Sequence, residues 1–285
     1  MRFIQTIKNI WAIEDLRKRL VLTFLLVVVY RLGCFIVLPG IDPGQLNAMQ
    51  EFTEKSGLMQ LLDMFSGGAF SQASIFALGI MPYITASIVI QLLGMVLPSF
   101  QKMQREGESG RQKLNQYTRY LTVLILFVQG PAYLFNLQHQ LRAAQVNFEM
   151  TWFLVIMLTV ILAAGSMFIM WLGERITARG IGNGISFIIL VGIIARLPEA
   201  LFYEFVARTP GSAETQGGLI MFIVELILLF AVTVGAVLLV QGTRKVPVQY
   251  AKRIVGNRQY GGARQYIPLK VNAAGVMPII FAQAI

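Results

Sequence analysis

Apolar residues along the chain come in long blocks separated by short polar stretches, and six blocks approach or exceed the ~20 residues that carry a helix across a hydrocarbon core. They occupy 20–38, 74–97, 120–137, 152–172, 185–205 and 219–240, and a seventh starts near Val271 and runs to Ile285. The ten-residue alternation of membrane strands is absent, so the pattern predicts an all-α, polytopic membrane protein with six complete transmembrane helices and the start of a seventh. Ahead of the first block, Phe3, Ile4, Ile7, Ile10, Trp11 and Ile13 recur at near-helical spacing, which predicts a short cytoplasmic interfacial helix over 1–19. The first block is too long for a cleaved signal segment and no small-x-small site follows it, so it is expected to remain as an anchor.

Between the first two blocks, 57–70 is apolar but interrupted. As a helix its 14 residues would reach only about 21 Å. Leu61, Leu62, Met64 and Phe65 make it apolar, and Gly67 and Gly68 end it, because adjacent glycines weaken a helix and permit sharp redirection. Such a half-helix either dips into the membrane, which requires surrounding protein or a wet cavity, or lies flat as a surface connector. In the next block Ile80 and Ile84 share a helix face, Tyr83, Ser87 and Gln91 form a polar stripe, and Pro82 is expected to kink the helix near its middle. Taken alone, an isoleucine pair at this spacing is ordinary lipid-facing or neighbour-facing surface.

Composition agrees with the pattern: 56% of residues are hydrophobic and 13% charged. Threading the blocks alternately through a bilayer puts the N-terminus, 101–119, 173–183 and 241–270 on one side. That set holds all of the 24 Lys and Arg residues except Arg31, Lys55, Arg142, Arg196 and Arg208. Basic residues in short loops mark the cytoplasmic face, so the N-terminus is expected inside. The stretch 243–270 carries Arg244, Lys245, Lys252, Arg253, Arg258, Arg264 and Lys270, no acid, and interleaved Tyr250, Tyr260 and Tyr266. Orientation alone accounts for a basic loop, but its length also suits a docking surface for a phosphate-bearing partner, RNA or anionic lipid. Glu225 falls in the outer half of the sixth block and is expected to be neutral or to snorkel rather than to relay protons.

Catalytic chemistry finds no foothold. The lone Cys34 permits no intrachain disulfide, the single histidine, His139, is assigned to an outer loop, and Asp42 and Asp63 also fall on the outer side. No nucleophile with a base, metal cluster or intramembrane aspartate pair emerges, so the sequence is read as a non-enzyme with no cofactor. The rival reading is a secondary transporter with a discontinuous helix, which would require coordinating groups at mid-depth beyond Glu225.

Six runs then carry a family resemblance: LLDMFSGGAF (61–70), SIFALGIMPYITASIVIQLL (74–93), EGESGRQKLNQYTRY (106–120), MWLGERITARGIGNGIS (170–186), PVQYAKR (247–253) and PLKVNAAGVMPIIFA (268–282). In order and content they resemble the bacterial SecY protein translocation channels. The resemblance implies a pore-forming subunit of the bacterial inner membrane that passes unfolded polypeptides and releases hydrophobic segments sideways into lipid. It implies a pore ring of Ile80, Ile84, Ile185, Ile189 and Ile280, an apolar collar that can dewet yet flex around a passing chain. It makes 57–70 a plug and sets a lateral gate between the 74–97 span and the one starting near Val271, with Ser87, Gln91 and Pro278 at the gate. It assigns 243–270 to docking of the ribosome, through rRNA phosphates, and of the SecA motor. SecE-like and SecG-like subunits, signal sequences, nascent polypeptides and membrane lipids are the implied partners. In domains, 20–205 corresponds to the family's first half with five spans, and 206–285 to the start of a second half. Family members carry two halves related by a pseudo-twofold axis, so this piece alone is not expected to conduct.

Overall fold

The computed structural model describes residues 11–41, 63, 66–143, 151–208, 218–249, 253–255, 258–260 and 264–272. The chain divides into two compact units, Met1–Ala200 and Leu201–Ile285.

The first unit opens with α1 (Glu14–Cys34). Glu14 and Asp15 occupy its positive N-terminal end and pair one turn on with Lys18 (2.8 Å) and Arg19 (3.1 Å). After a turn-rich stretch come α2 (Met81–Val96), α3 (Pro98–Arg105), α4 (Glu108–Ala143), α5 (Trp152–Arg179) and α6 (Gly184–Ala207), whose last residues fall in the second unit. Helix α4 packs on α5, α2 and α3 on α4, and α1 on α5. Two apolar clusters form the core. One gathers Leu38, Phe70, Tyr133, Leu137, Leu158 and Leu162, and the other Leu26, Tyr30, Phe76, Ile80, Ile169 and Ile188.

Among the described residues, α4, α5, α6 and α7 (Gly218–Gln241) are each long and apolar enough to cross a membrane, and α2 with α3 makes a fifth if the bent pair counts as one span. Helix α1 has the length, but Arg17, Lys18, Arg19 and Arg31 lie along it.

The observed elements correct several expectations. The block 74–97 is not helical throughout: 74–80 is turn, and α2 begins at Met81. Pro82 therefore sits in the first turn, where its missing N–H costs nothing, and starts the helix instead of kinking it. The bend comes later, at Leu97–Pro98, where extended backbone before a proline turns α3 by 102° from α2. Helix α4 runs for 36 residues, about 54 Å, so most of the expected loop 101–119 is helical and His139 is an exposed helical residue, not a loop one. The chain is not purely α. The basic stretch forms strands β1 (Thr243–Gln249), β2 (Arg253–Val255), β3 (Arg258–Tyr260) and β4 (Arg264–Lys270), paired antiparallel as β1 with β4 and β2 with β3. The expected 1–19 helix is interrupted at Ile13, whose backbone is extended, and its first ten residues lie outside the described set.

The turn-rich stretch is tied to the bundle through its backbone. Leu38 N–H donates to Ala73 O (2.9 Å) and Ile75 N–H to Ile36 O (2.9 Å), a short antiparallel clasp around the Val37–Ser74 bridge. Phe76 fills the space left by two glycines. A Cβ on Gly33 would strike the Phe76 ring, and one on Gly165 would strike the Ile75 carbonyl oxygen. Gly165→Val is therefore expected to lower stability by about 1–3 kcal/mol through overpacking, read as an earlier thermal midpoint in detergent. An unchanged midpoint would contradict this packing.

Candidate functional site

Two helix N-termini bring four of the expected ring residues together. Ile80 precedes α2 and is 5% exposed, and Ile84 lies one turn on, its N–H donating to Ile80 O (3.1 Å). Ile185 and Ile189 lie in the first turns of α6. All four belong to or pack against the cluster formed by Leu26, Tyr30, Ile169, Leu172 and Ile176, and Ile84, Ile185 and Ile189 are only half-buried. Ile280 lies outside the described residues.

The run GERITARGIGNGIS sets where α6 begins. Gly182 takes φ +69°, a backbone region that favours glycine. Asn183 Oδ1 then accepts from the Ile185 N–H (3.1 Å) and Ser186 N–H (3.4 Å) as an N-cap. Thr177 Oγ1 accepts from Gly184 N–H (2.8 Å) while donating to Gly173 O (2.9 Å). The absence of side chains on Gly173 and Gly184 lets the two helices touch: a Cβ on Gly173 would come within 2.9 Å of Ile185, and one on Gly184 would meet the Gly173 carbonyl. Glu174 is gripped from α4 by Arg119 through two oxygens, at 3.1 and 2.6 Å.

Of the expected plug residues, Leu61, Leu62, Met64 and Phe65 lie outside the described set, whereas Gly67 and Gly68 are described. Residues 63 and 66 are helical and 67 onward is turn. Gly67 (φ +68°) and the Gly68 N–H donating to Asp63 O (2.9 Å) make a Schellman-type stop. Polar groups then converge on the turn. Ser66 Oγ donates to Asp63 O (3.0 Å) and accepts from Phe70 N–H (3.0 Å), and Tyr133 OH from α4 donates to Phe70 O (3.0 Å). Arg31 of α1 donates to Gly67 O (3.0 Å). Asp63, 1% exposed, accepts from Ser71 N–H (2.8 Å) and pairs with Arg196 of α6 (2.6 Å).

The expected gate residues Ser87 and Gln91 share a face of α2, with Gln91 Nε2 donating to Ser87 Oγ (3.4 Å). Both line a cavity of about 530 Å³ together with Gln104, Arg111, Asn115 and Thr118, and Gln91 Oε1 is buried there without a partner. Pro278 lies outside the described residues.

In the second unit, Glu225 has a cationic partner: Arg208 Nη2 donates to its Oε1 (2.8 Å), and the same arginine holds Glu204 (2.8 Å). Of the seven basic residues expected at the docking loop, Lys252 is outside the described set. Arg244, Lys245 and Lys270 are on β1 and β4, Arg253 and Arg258 on β2 and β3, and Arg264 opens β4. The β1–β4 register assigns Thr243, Lys245, Pro247, Tyr266, Pro268 and Lys270 to one face and Arg244, Val246, Val248, Ile267 and Leu269 to the other.

Sequence reasoning missed Asp63, Ser71, Arg31 and Arg196 as a group. A signal exists: Arg31 and Arg196 lie apart from the basic stretches that hold most of the chain's Lys and Arg, and a cation inside an apolar helix asks for an anion nearby.

Comparison with known proteins agrees with this architecture. The SecY family model matches residues 74–285. The chain is 43% identical to the protein translocase subunit SecY of Corynebacterium glutamicum over 95% of its own length and 61% of that protein's. It is 44% identical to the same subunit of Halalkalibacterium halodurans (98% and 64%). It thus spans less than two thirds of these relatives. Among solved structures, a protein-conducting channel superposes with a TM-score of 0.61 at 19% identity, covering 94% of this chain and 56% of that one. Sec61 in the canine ribosome–channel complex gives 0.60 at 18%, with the same coverage. The fold is that of the protein-conducting channels. By sequence the chain belongs to the SecY family.

The α6 cap yields a direct expectation. Asn183→Ala should cost about 1 kcal/mol, seen as a lower denaturation midpoint, whereas Asn183→Asp should retain most of it. Equal loss in both variants would mean that the side chain does not cap α6.

Proposed function

We propose that this chain supplies the first half, and the beginning of the second, of the central pore of a Sec translocon in the bacterial inner membrane. In this reading the N-terminus is cytoplasmic, α1 is a further span, and 57–70 is a plug half-helix. Ile80, Ile84, Ile185 and Ile189, with Ile280, form a collar that excludes ions and yields to unfolded polypeptide. Branched apolar side chains in a ring dewet the constriction, and their lack of polar groups makes it indifferent to the passing sequence. The observation that carries the reading is the convergence of four ring residues, from two helix N-termini, on one apolar cluster beside a non-helical segment.

Ser87, Gln91 and Pro278 would line the lateral exit, through which hydrophobic signal sequences partition into lipid. The basic strands would dock the ribosome through rRNA phosphates, and the SecA motor. SecE-like and SecG-like subunits would complete the channel. The carrier alternative loses its mid-depth acid, because Glu225 is engaged by Arg208.

Two experiments test this. Cysteines at Ile80 and Ile185 in the protein expressed from its whole gene should crosslink to an arrested, partly translocated chain, with several unrelated substrates. A carrier of small solutes would give no adduct with any of them. Reversing Arg253 and Arg258 to glutamate should weaken ribosome binding and lower its salt dependence by about one log–log unit per lost phosphate contact. Unchanged affinity at low salt would reduce the loop to a topology signal.

A further inference from the structure

We propose that Asp63 and Arg196 form a charge latch that holds the 66–71 turn against α6, with Arg31 as a second hold, so that these two arginines are positioning residues of the closed channel. The inference rests on the plug reading above and adds what keeps the plug seated.

Asp63 is 1% exposed. A carboxylate that deep is tolerated only when paired and hydrogen-bonded. Both of its oxygens are engaged, Oδ2 by Arg196 Nη2 at 2.6 Å and Oδ1 by the Ser71 N–H at 2.8 Å. The same Arg196 nitrogen donates to Ser71 Oγ at 3.0 Å. One guanidinium from α6 therefore grips the helical residue Asp63 just ahead of the turn and Ser71 at the turn's end. Arg31, from α1, takes the carbonyl of Gly67 in between (3.0 Å).

The glycines make this reach feasible. Gly67 lies so close to α6 that a Cβ would come within 2.9 Å of Gly192 Cα, and a Cβ on Gly68 would stand 3.1 Å from the Arg196 guanidinium. The bulk of a side chain at either position would push the turn off the cation.

The pair is asymmetric in a way that suits a releasable catch. The Arg196 side chain is 38% exposed while that of Asp63 is 1%. As long as the turn is seated, losing the arginine leaves a bare buried anion, which is strongly unfavourable. Once the turn moves out, the carboxylate reaches water and the arginine is already partly hydrated. The resting state is thereby favoured without making displacement prohibitive. The latch also explains why Arg31 and Arg196 depart from the charge bias of the chain.

The test uses the protein expressed from its whole gene, in membranes with its native partners. Resting halide leak is read without substrate, alongside crosslinking of an arrested chain to a cysteine at Ile80. Asp63→Asn and Arg196→Gln are each expected to raise resting leak by about tenfold or more, and the double variant to leak no more than the leakier single, because both break one interaction. Lys18→Gln, in an exposed surface pair, should leave the leak unchanged. Should the single variants fail to accumulate, Arg196→Lys, which keeps the charge but loses the fork, should still leak several-fold more than the parent. Unchanged leak in the variants that accumulate, or leaks that multiply in the double, would overturn the latch. Absence of any crosslink in the parent protein would instead remove the pore reading, so the two failures are distinguishable.

Discussion

A peptide group buried away from water and left unpaired costs about 1–3 kcal/mol. Helices meet this constraint automatically, but residues 66–80 are largely turn, and here the constraint governs everything around them. Their backbone groups are taken up one by one: by the clasp with 36–38, by the hydroxyls of Ser66 and Tyr133, by the Asp63 carboxylate, and by Arg31. The bundle of α1, α4, α5 and α6 is as much a provider of these partners as a source of apolar burial. The glycines at 33, 165, 173 and 184 follow from the same demand, since an irregular segment and its neighbours must approach to backbone distance.

Charge obeys a parallel logic. Lys18, in the first turns of α1, is exposed together with its partner Glu14, and such pairs contribute little. Arg31, Arg196 and Arg208 have specific partners instead. Arg31 and Arg196 hold the turn, and Arg208 bridges Glu204 and Glu225.

The apolar blocks make the helical architecture legible, because span length is a property of composition that tertiary contacts barely alter. Helix ends are less so. Nothing local distinguishes 74–80 from the helix that follows, since SIFALGI is as apolar as a span; what makes it a turn is the company of Phe76 and the clasp with 36–38. Pro82 misleads for the same reason: its meaning depends on whether a helix has already begun. The strands at 243–270 are hidden by their charge, which masks the alternation in TRKVPVQ and RQYIPLK. At the site, isoleucines four apart are readable as one face, but their convergence from two helices comes only through family resemblance. The Asp63–Arg196 pair, 133 residues apart in sequence, has no local signature at all.

The two longer strands each hold a proline, Pro247 opposite Tyr266 and Pro268 opposite Lys245. Proline offers no N–H, so the free margin on either flank is missing a donor and makes a poor template for a third strand. Growth of the ribbon by main-chain ladder is thereby discouraged on both sides. A molecule that recognises this ribbon must do so through its side groups, and its grip will change with each residue exchanged there.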